Sequence, residues 1–181
     1  MILTAEIVRE FLDYETRTGI LKWRHRGRKW FATLHEFRRW NTRYADSEAG
    51  HISVDAKTGR RVRRIRINKR HHLAHRLAWL YITGEWPPMD LDHADLDPLN
   101  NRWRNLRLAT RSQNIANGHC RANNKMGVKG VSFHKETGMY GARIRVTGVQ
   151  RSLGHFKAAE EAHAAYCVAA AKAFGEFARF V

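Results

Sequence analysis

Apolar positions at Ile7, Val8, Phe11 and Leu12 fall on one stripe of a 3.6-residue period, which predicts a helix over 4–12 with Thr4 as its cap. Thr18-Gly19 then turns the chain into Ile20-Leu21-Lys22-Trp23, predicted to pair with Leu12 to Tyr14 as a hairpin. From Arg24 to Arg43 the periodicity fails. Basic residues alternate irregularly with Trp30, Phe31, Phe37 and Trp40, a pattern equally compatible with a loop wrapping nucleic acid and with a weakly patterned helix. Between Gly50 and Leu73 the period becomes two, through Ile52, Val54, Val62, Ile65 and Ile67. Lys57-Thr58-Gly59 and Asn68-Lys69 supply turns, so an antiparallel hairpin or meander is expected. Helical spacing returns over Ala74 to Thr83, with Leu77, Leu80 and Tyr81 on the buried stripe, Gly84 as a stop and Pro87-Pro88 beyond it.

Leu91 to His93 reads as a short strand, Asp97-Pro98 and Asn100-Asn101 as a turn-rich loop, and Leu106 with Leu108 as a second strand. Ser112 is placed to cap a helix running through Ile115. A polar, basic stretch follows Asn117-Gly118 and reads as a linker or nucleic-acid arm. Three strands are then expected at 127–133, 140–146 and 150–156, ahead of an Ala-rich helix over 158–174. On the middle strand Ala142, Ile144 and Val146 alternate with Arg143 and Arg145, so one face can pack on the helix while the other carries guanidinium groups. The predicted class is α+β. Its expected divisions are 1–49, a basic helix, hairpin and aromatic region; 50–118, a catalytic core; 119–126, a linker; and 127–181, a three-stranded antiparallel sheet plus one helix.

Thirty-three Lys and Arg against seventeen Asp and Glu leave a formal charge of +16, which makes nucleic acid the first candidate partner. The strongest local concentration is Arg60, Arg61, Arg63, Arg64 and Arg66 on one expected strand, with no acidic residue from Ala56 to Gly84. Edge protection by charge is one reading of that strand. Five arginines in seven positions exceed what it needs, and phosphate tracking, with Arg61, Arg63, Arg64 and Arg66 as contacts, is preferred. No apolar run approaches the roughly 18 residues of a spanning helix and no signal peptide is evident, so no membrane partner and a cytoplasmic location are expected. Cys120 and Cys167 stand alone, which suggests neither a disulfide framework nor a zinc site.

Asp92, His93 and Asn114 are suited to metal-assisted phosphodiester hydrolysis if the unit folds back on itself. A carboxylate and an amide oxygen are hard ligands for magnesium, and an adjacent imidazole can deprotonate water. His75-Arg76-Leu77, Asp92-His93, Asn100-Asn101, Asn105-Leu106-Arg107, Ala109-Thr110 and Asn114 together resemble the phage and intron-encoded HNH homing endonucleases, whose core is a ββα-metal unit. The resemblance implies His93 as general base, Asp92 and Asn114 as metal ligands, and Asn105 as the group orienting the His93 ring. It further implies double-stranded DNA as substrate, a divalent cofactor (Mg2+, with Mn2+ as an alternative), and products with 5′ phosphate and 3′ hydroxyl. His75 is expected to pack or contact phosphate rather than to act in catalysis.

The last segment resembles a different family. Gly127-Val128-Lys129-Gly130-Val131, Tyr140-Gly141-Ala142-Arg143-Ile144-Arg145, Leu153-Gly154-His155-Phe156 and Ala159 to Tyr166 are similar to the Apetala-two/ethylene-response-factor DNA-binding domain. That resemblance implies a sheet docked in the major groove with Lys129, Arg143 and Arg145 as contacts. Ser132, His134, Gln150 and Ser152 stand where plant members carry base-reading Arg or Trp, so no target sequence carries over. The rival to an endonuclease is a DNA-binding regulator that keeps the nuclease fold without cleaving. A structural RNA-binding protein, suggested only by charge and aromatics, is a third reading. Neither a protein partner nor an oligomeric state follows from the sequence.

Overall fold

The structure, a computed structural model, describes residues 2–120 and 123–180. The chain divides into two compact units, Met1–Leu108 and Ala109–Val181. This division differs from the one expected at 49/50 and 118/119, and packing explains why. Val8, Phe11, Leu12, Leu21 and Trp23 share one buried cluster with Ile65, Ile67, Leu77 and Leu80, so 1–49 has no separate core. Ala109 and Ala116 are instead buried with Ile144, Tyr166, Ala170 and Phe174.

In the first unit, helix α1 (Ala5–Phe11) runs into strand β1 (Leu12–Glu15), which pairs antiparallel with β2 (Ile20–Trp23) in the register Leu12 to Trp23. The segment after β2 is the one the sequence left open: it runs as loop with a single 3-10 turn at Arg28–Trp30 and is α-helical from Leu34. Helix α2 (Leu34–Tyr44) starts at a capping box in which Thr33 accepts from the Glu36 N–H at 3.1 Å and Glu36 accepts from the Thr33 N–H at 3.2 Å. Buried Asn41 ties the preceding loop to it, accepting from Arg26 N at 2.9 Å and donating to Arg26 O at 3.1 Å.

Strands β3 (His51–Val54), β4 (Arg61–Ile67) and β5 (Arg70–Leu73) form an antiparallel meander in that order, as the period-two pattern predicts. Ile65 and Ile67 are fully buried beneath it. Helix α3 (Ala74–Thr83) packs on α1 and ends at Gly84, whose φ of 86° terminates it. Strand β6 (Asp90–His93) then pairs with β7 (Leu106–Ala109) across the 94–105 loop.

In the second unit, helix α4 (Arg111–Asn117) is capped by Thr110, which accepts from Gln113 N, so Ser112 lies inside the helix and not at its cap. Strands β8 (Val131–His134), β9 (Met139–Val146) and β10 (Val149–Phe156) form an antiparallel sheet in the order β10-β9-β8, and helix α5 (Ala159–Phe174) packs on it. The first of these strands starts at Val131 and not at Gly127, because Gly127 and Gly130 take φ of 68° and 74° and hold 127–130 in turns. Of the expected linker 119–126, Arg121 and Ala122 lie outside the described residues.

Gly19, in the β1–β2 turn, has φ 79° and faces the 101–102 backbone so closely that an added Cβ would lie 2.4 Å from Arg102 N and Asn101 C. Gly59 has φ 67° in open space. Gly59→Ala should therefore lose about 1–2 kcal/mol, the cost of a left-handed L-residue, and Gly19→Ala clearly more. Urea unfolding of the two variants checks this, and equal losses would contradict the close approach.

Candidate active site

Strand β6 presents Asp92 and His93 in succession, and both are buried, at 3% and 5% exposure. His93 Nε2 lies 3.2 Å from Asn101 Oδ1, and Asn101 Nδ2 donates to Leu99 O at 3.3 Å. That second bond orients the amide so that its oxygen faces the ring. With an oxygen facing Nε2, the contact is a hydrogen bond in the tautomer that carries its proton on Nε2, and in that tautomer Nδ1 is the basic nitrogen.

Asn101 is itself held from the N-terminal hairpin. The Tyr14 hydroxyl donates to Asn101 O at 2.7 Å in a buried bond, and Trp103 N donates to Thr16 O at 3.0 Å. A second imidazole, His75 from the first turn of α3, meets His93 edge-on with ring centroids 5.0 Å apart. Burial pushes the His75 pKa down to about 3, with the charges of His93, Arg76 and Arg60 adding to it. Burial also holds His93 below the usual histidine range. The Asn101 hydrogen bond and the Asp95 and Asp92 carboxylates oppose that shift, while Arg60 adds to it. Both rings are thus neutral at neutral pH, the state in which an imidazole can accept a proton.

Asp92 Oδ2 accepts from Arg107 Nε of β7 at 2.9 Å, an ion pair whose carboxylate is almost wholly buried. Asn105 has a bracing role. Its Nδ2 donates to Asp95 Oδ1 at 2.9 Å and to Asn100 O at 2.7 Å, and its Oδ1 accepts from Asp95 N at 3.1 Å. The side chain seen bonded to the His93 ring is therefore Asn101, while Asn105 closes the loop between the two strands. Burial raises the Asp95 carboxyl, but hydrogen bonds from Asn105, the Asp97 N–H and Asn100 outweigh it and keep the group below the ordinary carboxylate range.

The first unit thus brings Asp92, His93 and Asn105 together on β6, β7 and their loop. Asn114 is the fourth residue of α4, in the second unit. Among the described residues no group of three or more His, Cys, Asp or Glu side chains is arranged to hold a metal. A divalent ion at Asp92 would therefore also need oxygen from amides, water or substrate, the donor set that magnesium accepts.

The basic residues separate by surroundings. Arg61, Arg64 and Arg66 are exposed on β4. Arg63 shares the inward face with Ile65 and is engaged, 2.8 Å from Glu48 and donating to Ala49 O at 3.2 Å. Arg143 and Arg145 are exposed on β9. Half-buried Lys129 instead donates to Ala116 O at 2.7 Å near the end of α4, and burial lowers its pKa. Spatial partners redirect Arg63 and Lys129 away from solvent. Tyr14 and Arg60 belong to the site region although no motif marks them for it, and Asn101 although the Asn100-Asn101 pair gives it no role, because their relation to His93 is made by chain closure and not by spacing.

Residues 72–116 match the model of the HNH endonuclease family. Over 106 residues the chain is 35% identical to a protein of Acanthamoeba polyphaga mimivirus described as an uncharacterized HNH endonuclease, a match covering 58% of this chain and 54% of that one. Over 62 residues it is 37% identical to Protein 3.8 of Escherichia phage T7, covering 34% of this chain and 51% of the relative. The chain thus spans about half the length of each of these relatives. No helix among the described residues is long and apolar enough to cross a membrane.

The His75 pKa near 3 lies well below the ordinary histidine value of 6.5, so between those values the unfolded chain binds the extra proton. Stability should therefore fall as pH drops from 6.5 toward 3, with His75 contributing a slope of up to about 1.4 kcal/mol per pH unit. His75→Leu should flatten that decline in urea unfolding measured across the acid range. An unchanged slope would mean that His75 is not buried in its neutral form.

Proposed function

We propose that the chain, whose residues 72–116 match the HNH endonuclease family model, is a divalent-metal-dependent endonuclease that hydrolyses duplex DNA, of the phage homing type. The observation that carries this reading is His93, buried beside Asp92 and turned by Asn101 so that Nδ1 is its basic nitrogen. His93 takes a proton from water, which attacks the phosphorus as the 3′ oxygen leaves, so that the ends carry 5′ phosphate and 3′ hydroxyl. Asp92 and Asn114 would hold the ion, and their oxygen donors favour Mg2+, with Mn2+ able to replace it. When bound, the ion supplies charge stabilisation to the phosphate and the leaving oxygen. Asn105 keeps the loop closed so that Asn101 meets the ring.

Arg61, Arg64 and Arg66 track phosphates in this reading, and the second unit acts as an Apetala-two/ethylene-response-factor-like sheet whose Arg143 and Arg145 enter the major groove. A phage-encoded enzyme of this kind would work in the host cytoplasm. One observation favours a second reading. Arg107 already balances Asp92 at 2.9 Å, as it would in a regulator that binds DNA without cutting it.

Incubated with duplex DNA and Mg2+, the protein should produce nicks or breaks that EDTA abolishes. His93→Ala should remove cleavage by at least about a hundredfold while leaving DNA affinity nearly unchanged. Intact binding without cleavage in the unaltered protein would select the regulator. Arg143→Ala with Arg145→Ala should lower the dependence of log affinity on log salt by up to about 1.8, roughly 0.9 for each phosphate that is no longer neutralised. An unchanged slope would remove β9 from the interface.

A further inference from the structure

At the Arg66 end of β4 the first unit holds a cavity of about 680 Å3 walled by Trp23, Trp40 and Tyr44 and by Arg26, Arg43 and Arg66. The rings are contiguous: Trp23 and Trp40 have centroids 5.6 Å apart, and Trp40 and Tyr44 5.5 Å apart. Tyr44 and Arg43 are exposed on the last turn of α2.

Among the described residues none of the three arginines is in a salt bridge, and the carboxylate on the cavity wall, Glu48, is 2.8 Å from Arg63. Arg26 is the most telling. Its guanidinium lies 4.0 Å over Trp40, 4.7 Å over Trp23 and 4.1 Å over Phe11, and its buried Nε has no hydrogen-bond partner. Burial lowers its pKa to about 10, which still leaves it charged at neutral pH. A half-buried cation without an anion is costly, and the expected remedy is an anion from outside the chain.

A ligand matched to this cavity combines negative charge with a planar ring, and a nucleotide has both. A base inside a duplex has its faces covered by its neighbours and can offer the rings only an edge. We propose that this cavity is a subsite for an unpaired nucleotide of the DNA, its base stacked on Trp40 and Tyr44 and its phosphate among Arg26, Arg43 and Arg66. This rests on the reading of DNA as substrate.

Its place on the protein fits. Arg60, at the opposite end of β4, acts on both His75 and His93 through its charge. Six residues of extended chain separate Arg60 from Arg66, about 20 Å. The subsite would thus grip an unpaired stretch a fixed distance from the scissile phosphate, as a nicked, branched or locally opened DNA presents.

Binding without metal tests it. The full-length protein in EDTA is titrated by fluorescence anisotropy against a labelled duplex with a single-stranded tail, and against the same duplex with an abasic tail of equal phosphate count. The base-bearing tail should bind about tenfold more tightly. Tyr44→Leu and Arg43→Gln are both exposed changes that spare the core: Tyr44→Leu should reduce that preference severalfold, Arg43→Gln should weaken binding to both tails by a similar factor, and Trp40→Ala should abolish the preference. Equal affinity for the two tails, a preference unchanged in Tyr44→Leu, or an affinity for both tails unchanged in Arg43→Gln, would overturn the subsite. Cleavage by the unaltered protein in Mg2+, followed in parallel, bears on the nuclease reading alone.

Discussion

Asn101 carries two hydrogen bonds on which the geometry of the candidate site depends. Its main-chain oxygen accepts from the Tyr14 hydroxyl at 2.7 Å, and its side-chain oxygen faces His93 Nε2 at 3.2 Å. The first bond joins residues 87 apart in the chain and the second sets which nitrogen of the imidazole is basic. With the Gly19 turn pressed against the same backbone, the N-terminal hairpin forms one wall of the site. The N-terminal hairpin therefore shares its core and its hydrogen bonds with the candidate site.

Burial and charge act on the site in opposite ways. A chain of formal charge +16 attracts a polyanion, yet an imidazole proposed to take a proton from water must stay neutral. Burial achieves this for His93 and drives His75 further still. Positive charge stays on the surface, along Arg61, Arg64 and Arg66, and at the aromatic cavity beyond them. Where an arginine does enter the interior it is balanced, as Arg107 is by Asp92, or caged by rings, as Arg26 is.

Much of this was legible from the sequence, and the exceptions share a cause. Period-two spacing was enough to predict β3 to β5, and Gly84 marked the end of α3. The Thr33 and Glu36 capping box was present in the 24–43 segment, but irregular aromatics masked the helix it starts. Asn101, Arg63 and Lys129 could not be assigned from spacing. Each is defined by a partner brought near only by folding: Tyr14 and His93, Glu48, and the Ala116 carbonyl respectively. Asn105 shows the same limit. Its position was marked, but only the closed loop reveals that it braces Asp95 and Asn100.

The central claim is that His93, oriented by Asn101, makes this chain cut DNA hydrolytically, and the chemistry of the ends tests it most directly. Phage or bacterial genomic DNA is incubated with the protein and Mg2+, and new ends are captured by ligation and sequenced. The account predicts ligatable 5′-phosphate and 3′-hydroxyl ends at recurrent positions, absent with EDTA and with His93→Ala. Ends at background level with the unaltered protein, or ends that persist in His93→Ala, would contradict it.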